Sequence, residues 1–313
     1  MNPLRKILFI CLASMLLLIF ASFVFDRGYR NFWKPFYDKT DVAFLGKTNY
    51  EVLFFGNSTV HFGINPYYVD SVSKLSSYNL GIGGANITVM NALLMGYLEN
   101  HLPPKIIFYS MNYSTFGKAD NSNYFLFFDY LENKYAATYL RQKKVNVGLI
   151  KVFPFLKWSY FDDYNRANII AGFAGSPFIK NAIIYNGFIN NTNDSIRKFD
   201  FNTVMMASGS QIEEQNVALL NDIISTCKKK RIKLVFLFAP EIKDASDFTQ
   251  ENLRVDSFIN KTSIVNNIRY KRFDDSTFFP LYQFHDKWHL NKSGTELYSI
   301  MLGSFVNEIL KEK

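Results

Sequence analysis

The chain has few of the residues that build disulfide frameworks or metal sites. Only two of its 313 residues are cysteine and four are histidine. Cys11 lies in an apolar stretch and Cys227 in a predicted helix, so we interpret both as small apolar side chains. No His, Cys, Asp or Glu grouping has metal-ligand spacing, so we predict no metal. Gly81-Ile-Gly-Gly84 lacks the Lys-Ser/Thr pair of a phosphate loop, so we predict no cofactor.

Long runs of one charge sign are also missing. The formal net charge is +8, and two of the basic residues, Arg5 and Lys6, precede the first apolar run. The densest basic stretch is Lys228-Lys-Lys-Arg231, which we interpret as a helix C-terminus, where cations complement the helix dipole. The sequence therefore predicts no nucleic-acid partner.

An uncharged apolar run extends from Ile7 to Phe25. As a helix it would span about 28 Å, close to the hydrocarbon thickness of a bilayer. The two basic residues before it favour a cytoplasmic N-terminus and a body on the periplasmic or extracellular face. A cleaved signal peptide is the alternative, although Ala21-Ser-Phe23 is a poor cleavage site. We therefore expect residues 1–25 to be a single-pass membrane anchor.

Residues 26–50 are rich in aromatic and charged side chains, and we interpret them as a juxtamembrane connection. Trp33, Phe36 and Tyr37 in this stretch fit a position at the lipid headgroups, and local packing explains them equally well.

Residues 51–313 alternate between short apolar runs and segments of helical periodicity, which is typical of a parallel sheet covered on both faces. The predicted fold class is α/β, a three-layer α/β/α sandwich with a mostly parallel five-stranded sheet. The predicted strands are Glu51–Phe55, Ser77–Leu80, Lys105–Met111, Lys233–Ala239 and Ile268–Phe273. The predicted helices are Asn86–Asn100, Ile212–Lys230 and Ser293–Lys311.

An aromatic-rich stretch at about 113–210 does not follow this alternation. We interpret it as an insertion in a single domain over 51–313. It either shapes substrate access beside the crevice or forms a helical cap without substrate contact, and the residues favour neither.

Polar motifs follow three predicted strands and precede the last helix. They are Gly56-Asn-Ser58, Asn79-Leu-Gly81-Ile-Gly-Gly84, Ser110-Met-Asn112 and Asp286-Lys-Trp-His289. Ligands of such sheets bind in the crevice at the carboxyl ends of the strands. A serine, a histidine and an acid together make an alcohol nucleophilic, because the histidine takes the proton and the acid fixes its tautomer.

These four blocks resemble the SGNH (GDSL-like) hydrolase superfamily over roughly Glu51–Asn112 and Ile212–Lys311. The resemblance implies that Ser58 is the nucleophile, His289 the base and Asp286 its partner. It also implies an oxyanion hole, made by the N–H groups of Ser58 and Gly84 and the side-chain amide of Asn112.

Two positions depart from the family pattern. Asn57 stands where the family has Asp, and Ser110-Met-Asn112-Tyr113 stands where it has Gly-x-Asn-Asp. Asn57, His61 and Gly83 are candidates for substrate binding; His61 leaves the same turn as Ser58, and a structural role is its alternative.

The resemblance goes closest to single-span members that act beside membrane-bound O-acyltransferases, in alginate acetylation and teichoic-acid D-alanylation. It implies a membrane-anchored serine esterase or O-acyltransferase that acts on acyl esters of a cell-envelope polysaccharide through an acyl-enzyme. The expected partners are an acylated carbohydrate or cell-surface polymer, the membrane and a membrane-bound O-acyltransferase. The alternative is a catalytically inactive SGNH-like module that binds envelope glycan or such an acyltransferase.

Overall fold

A computed structural model describes residues 2–117, 123–175, 184–189, 212–243, 247–275 and 278–312. The chain divides into two compact units. The first unit consists of residues 1–37 and 124–180, and the second of residues 38–123 and 181–313. Part of the predicted insertion, including residues 190–211, lies outside the described residues.

The described residues form short strands and helices of varied length. The strands are β1 (Val52–Phe55), β2 (Ser77–Asn79), β3 (Ile106–Ser110), β4 (Ile184–Tyr185), β5 (Phe188–Ile189), β6 (Lys233–Phe238) and β7 (Arg269–Arg272). The α-helices are α1 (Pro3–Phe32), α2 (Lys34–Phe44), α3 (Ser58–Gly63), α4 (Pro66–Ser73), α5 (Ile87–Asn100), α6 (Lys134–Gln142), α7 (Val147–Val152), α8 (Asp163–Phe173), α9 (Glu214–Lys229), α10 (Gln250–Asn266) and α11 (Lys292–Lys311). Three 3₁₀ helices cover Tyr124–Tyr130, Pro154–Tyr160 and Leu281–Gln283.

The second unit contains a five-stranded sheet in the order β2-β1-β3-β6-β7, and every pairing in it is parallel. The five strands predicted from the sequence are these five, so the predicted sheet is confirmed. Strands β4 and β5 form a separate antiparallel hairpin. This hairpin belongs to the stretch predicted as an insertion.

The core of the second unit follows from the alternation of side chains along buried strands. Residues of one face, such as Phe54 and Phe108, share a cluster with Tyr298 and Leu302 of α11. The intervening residues, such as Tyr109, are also buried, and α5 packs against α9 while α9 contacts β6. Helices thus flank the parallel sheet, and the predicted fold class is confirmed.

The first unit is built on the pairing of α1 with α8. These helices come very close at Gly28 and Gly172, where a Cβ on Gly172 would overlap the Gly28 carbonyl oxygen. Tyr29 contacts several aromatic rings of the same unit edge-on, among them Phe125 and Phe161. The N-terminal helix is therefore part of a packed aromatic core.

The segment predicted as a juxtamembrane connection is helical through Phe44. Trp33, Phe36 and Tyr37 are buried, so local packing accounts for these side chains. The earlier part of α1 differs, because its apolar side chains from Leu4 to Phe23 are largely exposed. By length and composition α1 can cross a membrane, and a signal sequence meets the same criterion.

Candidate active site

Ser58 follows the end of β1 and is the first residue of α3. Asn57 caps this helix, since its Oδ1 accepts a hydrogen bond from the Thr59 N–H at 3.0 Å. Gly56 stands in a confined space, where a Cβ would overlap the Val60 side chain. Glycine therefore lets the strand pass directly into the helix, and this turn holds Ser58 at the carboxyl end of β1.

The structure brings Ser58, His289 and Asp286 together. His289 Nε2 lies 2.8 Å from Ser58 Oγ. His289 Nδ1 lies 2.8 and 2.9 Å from the two carboxylate oxygens of Asp286. A carboxylate only accepts hydrogen bonds, so Nδ1 carries the proton and Nε2 accepts from the Ser58 hydroxyl. This tautomer is the one that a general base for serine requires.

The loop that carries Asp286 also fixes its carboxylate. Oδ1 accepts hydrogen bonds from the N–H groups of Trp288 at 2.9 Å and His289 at 3.0 Å. Burial raises the pKa of Asp286, but hydrogen bonds from the His289 ring and from these N–H groups bring it below its ordinary value. The acid is therefore ionised at neutral pH, and its negative charge lies against the Nδ1 side of the His289 ring.

The loop after β2 brings Gly83 and Gly84 beside the nucleophile. A Cβ on Gly83 would lie 4.0 Å from Ser58 Cβ, and Gly84 has a φ of +71°, in the region that favours glycine. In the described part of the chain, no protein group accepts a hydrogen bond from the N–H of Ser58 or of Gly84. Both N–H groups therefore retain their capacity to donate a hydrogen bond within this part of the chain.

Asn123 orients this loop, and the sequence gives no signal for it. Its Nδ2 donates to the Gly83 carbonyl oxygen at 3.0 Å, and the residue is buried. The described residues contain no cis peptide, so the Gly84 N–H points away from the Gly83 carbonyl across their shared planar peptide. By fixing the carbonyl, Asn123 also fixes the direction of the Gly84 N–H.

Asn112 follows β3, and its side chain caps the next turn. Its Oδ1 accepts hydrogen bonds from the Ser114 N–H at 3.1 Å, the Ser114 hydroxyl at 2.9 Å and the Thr115 hydroxyl at 3.0 Å. Among the residues that the structure describes, none accepts from Asn112 Nδ2. The capping role and the predicted donor role therefore use different atoms of the same amide.

Of the two interpretations of His61, the structural role fits and the binding wall does not, because its side chain is fully buried. Its Nδ1 lies 3.1 Å from Lys39 Nζ and 2.9 Å from the Gly81 carbonyl oxygen. Burial, followed by the nearby charge of Lys39, lowers the pKa of His61 well below its ordinary value. His61 is therefore a neutral, buried imidazole.

Lys39 and Asn79 connect α3, which begins at Ser58, to the loop after β2. Lys39 is a second residue that no sequence motif predicts. Lys39 is fully buried, and its Nζ donates to the Gly81 carbonyl and lies 3.5 Å from Asn79 Oδ1. Asn79 Nδ2 donates to the Val60 carbonyl at 2.7 Å, while its Oδ1 accepts from the Gly81 N–H at 2.9 Å. Burial lowers the pKa of Lys39 well below its ordinary value.

Three acidic residues, Glu241, Asp247 and Asp274, lie near the loop that carries Asp286 and His289. The Ile242 N–H donates to the Lys287 carbonyl at 2.8 Å, which ties the segment after β6 to that loop. Burial, and then the charges of Asp247 and Asp274, raise the pKa of Glu241 to about 8. Within the described ranges, no three His, Cys, Asp or Glu side chains are grouped as metal ligands would be.

No protein-family model matches the chain, and a search of curated proteins returns no match. Solved structures do match it. A protein of the G-D-S-L lipolytic family from Desulfitobacterium hafniense is 9% identical, with 82% of this chain and 99% of that chain covered and a TM-score of 0.42. A GDSL-like lipase from Bacteroides thetaiotaomicron is 8% identical, with 82% and 88% covered and a TM-score of 0.39. A family two carbohydrate esterase from Clostridium thermocellum is 10% identical, with 84% and 65% covered and a TM-score of 0.37.

These structures are named as a lipolytic protein, a lipase and a carbohydrate esterase, and the resemblance of the four sequence blocks implies an enzyme of this class. At such identities and TM-scores the likeness carries no argument about the reaction.

Proposed function

We propose that this protein is a serine ester hydrolase or O-acyltransferase that acts on acyl esters of a cell-envelope polysaccharide. The observation that carries the proposal is the 2.8 Å contact of Ser58 Oγ with His289 Nε2, with Asp286 on the other ring nitrogen. We further propose that α1 is a retained membrane anchor and that the body lies outside the cytoplasm. The uncharged run in α1 and the basic residues before it support this orientation.

In the proposed reaction, Ser58 Oγ attacks the ester carbonyl carbon while His289 Nε2 takes the hydroxyl proton. The carbonyl oxygen becomes negative, and the N–H groups of Ser58 and Gly84 stabilise it together with Asn112 Nδ2. Removing one such donor typically costs about 3 to 4 kcal/mol of transition-state stabilisation. The tetrahedral intermediate then breaks its bond to the alcohol oxygen, and His289 returns the proton to this leaving group.

The acyl-enzyme on Ser58 is released by a second attack. Either water or a sugar hydroxyl attacks the acyl carbon and gives its proton to His289. The bond to Ser58 Oγ then breaks and His289 returns the proton to the serine, so one triad serves both hydrolysis and transfer. We propose a membrane-bound O-acyltransferase as partner, on the strength of the sequence resemblance. In that arrangement the protein would exchange acyl groups between a donor and the polymer.

Labelling of Ser58 by a fluorophosphonate tests the triad directly in the full-length protein. Ser58→Ala and His289→Ala should each abolish labelling and remove nearly all hydrolysis of p-nitrophenyl acetate. Asp286→Asn should leave partial activity, because the acid orients the ring and does not take part in bond making. Equal labelling of the parent and both alanine variants would exclude the enzyme and favour the inactive glycan-binding module. An Asp286→Asn loss larger than either alanine loss would contradict the assigned roles.

A further inference from the structure

A cavity of about 250 Å³ lies between the starts of α4 and α11 and the β4–β5 hairpin. Among the described residues that line it, four are aromatic and three are polar, and none of these seven has an aliphatic hydrocarbon side chain. They are Tyr67, Tyr68, Tyr185, Phe188, Asn65, Lys292 and Thr295. A binding site for an acyl chain would use aliphatic walls, whereas flat rings with hydrogen-bonding groups between them suit a ligand that has both flat faces and hydroxyls.

Two tyrosine rings at this cavity form a corner. Tyr67 is 57% exposed and Tyr185 is 39% exposed, so each presents ring surface to solvent. Their centroids are 5.8 Å apart and their planes meet at 90°. A pyranose can therefore lay its C–H face on one ring while its edge contacts the other.

The hairpin that carries Tyr185 is fixed to the edge of the parallel sheet. The Asn79 N–H donates to the Asn186 carbonyl at 2.9 Å, and Asn186 Nδ2 donates to the Ser77 carbonyl at 3.1 Å. Gly187 has a φ of +80°, and a Cβ there would overlap the Asn79 carbonyl oxygen. The tyrosine corner is thus formed before any ligand arrives, which lowers the entropy cost of binding.

The cavity is connected to the catalytic residues through Phe62. The Phe62 ring meets the His289 ring edge-on, with centroids 5.9 Å apart. The hydroxyl of Thr295, which lines the cavity, donates to the Phe62 carbonyl at 3.3 Å. Lys292, another lining residue, begins α11 three positions after His289. Phe62 and the start of α11 thus both link the cavity to the histidine.

We propose that this cavity is a sugar subsite, which binds a pyranose ring of the polymer whose ester reacts at Ser58. The inference rests on the proposed function and names the part of the substrate that the protein recognises. The sugar in the cavity is assigned to a neighbour of the acylated unit, because Ser58 is not among the described lining residues and the contacts from the cavity to His289 run through Thr295 and Phe62. Binding there holds the polymer without touching the ester, so it contributes equally to the ground state and the transition state.

The test measures binding of three hexasaccharides, cellohexaose, chitohexaose and hexagalacturonate, to the full-length Ser58→Ala protein in detergent. We expect at least one to bind, and Tyr67→Ala and Tyr185→Ala should each raise its Kd about tenfold because a stacking surface is lost. Tyr67→Phe and Tyr185→Phe keep the rings and should keep the Kd within about twofold. Tyr282→Ala removes a 65% exposed tyrosine that does not line the cavity, and it should change nothing.

The proposal is overturned if no hexasaccharide binds, or if the Tyr67 and Tyr185 alanine variants bind as tightly as their parent. It is also overturned if the tyrosine variants bind the hexasaccharide unchanged in the Ser58→Ala protein but raise KM for p-nitrophenyl octanoate when Ser58 is present. The cavity would then hold an acyl chain. Fluorophosphonate labelling reports on the triad separately. Absent labelling with tyrosine-dependent sugar binding would refute the esterase alone, and normal labelling without sugar binding would refute the subsite alone.

Discussion

Replacing Asn123 by alanine should weaken the oxyanion hole without touching the triad. The substitution removes the 3.0 Å hydrogen bond to the Gly83 carbonyl. Both residues of the peptide that it orients, Gly83 and Gly84, are glycines, so the peptide can rotate at little steric cost once the bond is lost. After the substitution the Gly84 N–H would keep its present direction for only part of the time.

The size of the effect lies between two limits. A neutral hydrogen bond contributes about 1 kcal/mol, which is about fivefold in the population of the oriented peptide. Complete loss of one oxyanion donor costs about 100-fold or more in kcat. We therefore expect Asn123→Ala to lower kcat for p-nitrophenyl acetate between about fivefold and 100-fold. Asn123→Asp should lose more, because a carboxylate repels the Gly83 carbonyl.

The matched control for this prediction is Asn307→Ala. Asn307 Nδ2 also donates to a backbone carbonyl, that of Val72 at 3.1 Å, but it lies on α11 away from the glycine loop. It should cost some stability and leave kcat unchanged. The reasoning is refuted if Asn123→Ala and Asn123→Asp retain the parent kcat, or if Asn307→Ala loses as much.

Two further predictions concern the packing and the buried charge around the site. Gly56→Ala should destabilise the protein by about 1 to 3 kcal/mol and slow Ser58 labelling, because the added Cβ would overlap Val60 and lie 2.8 Å from Ser110 Cβ. Gly63→Ala, in the helix that follows Gly56, meets no atom within 4 Å, so equal losses in urea unfolding would contradict this account. Glu241 has an ordinary pKa of 4.5 that is raised to about 8 in the folded protein, so its contribution to stability is complete below about pH 4.5 and is lost as the pH rises to about 8. The unfolding free energy of Glu241→Gln minus that of the parent should therefore be a few kcal/mol larger at pH 9 than at pH 5. A difference that does not change with pH would refute the assignment.

The elements that the sequence predicts well are those with a local signal. Lys105–Met111 is a continuous apolar run, and the structure has β3 within it, because a strand buried on both faces needs apolar side chains at every position. Helix α3 has only six residues, which is too short for a periodic pattern. For this reason the sequence could not show that the His61 side chain is buried.

The supporting residues of the site have no local signal. A lysine is expected at the surface, yet Lys39 is fully buried. The Gly81 carbonyl from a distant segment accepts a hydrogen bond from its Nζ, which also lies 3.1 Å from His61 Nδ1. Asn123 is one asparagine among several in a polar stretch, and only the fold brings it to the Gly83 carbonyl. The motifs pointed to the reacting groups, whereas the groups that orient them depend on long-range contacts.

Helix α1 has a mechanical consequence for the unit formed by residues 1–37 and 124–180. The same helix begins with exposed apolar side chains and ends with Tyr29 and Phe32 in a packed core, without a break between the two parts. A flexible linker would let the residues after it sample a wide volume. A continuous helix instead transmits its own tilt and rotation to the residues packed against its C-terminal end. Insertion of two or three glycines near Asp26 would therefore make the orientation of the packed residues after it independent of the orientation of the exposed N-terminal part of α1. The first contact to be disturbed would be that of Gly28 with Gly172.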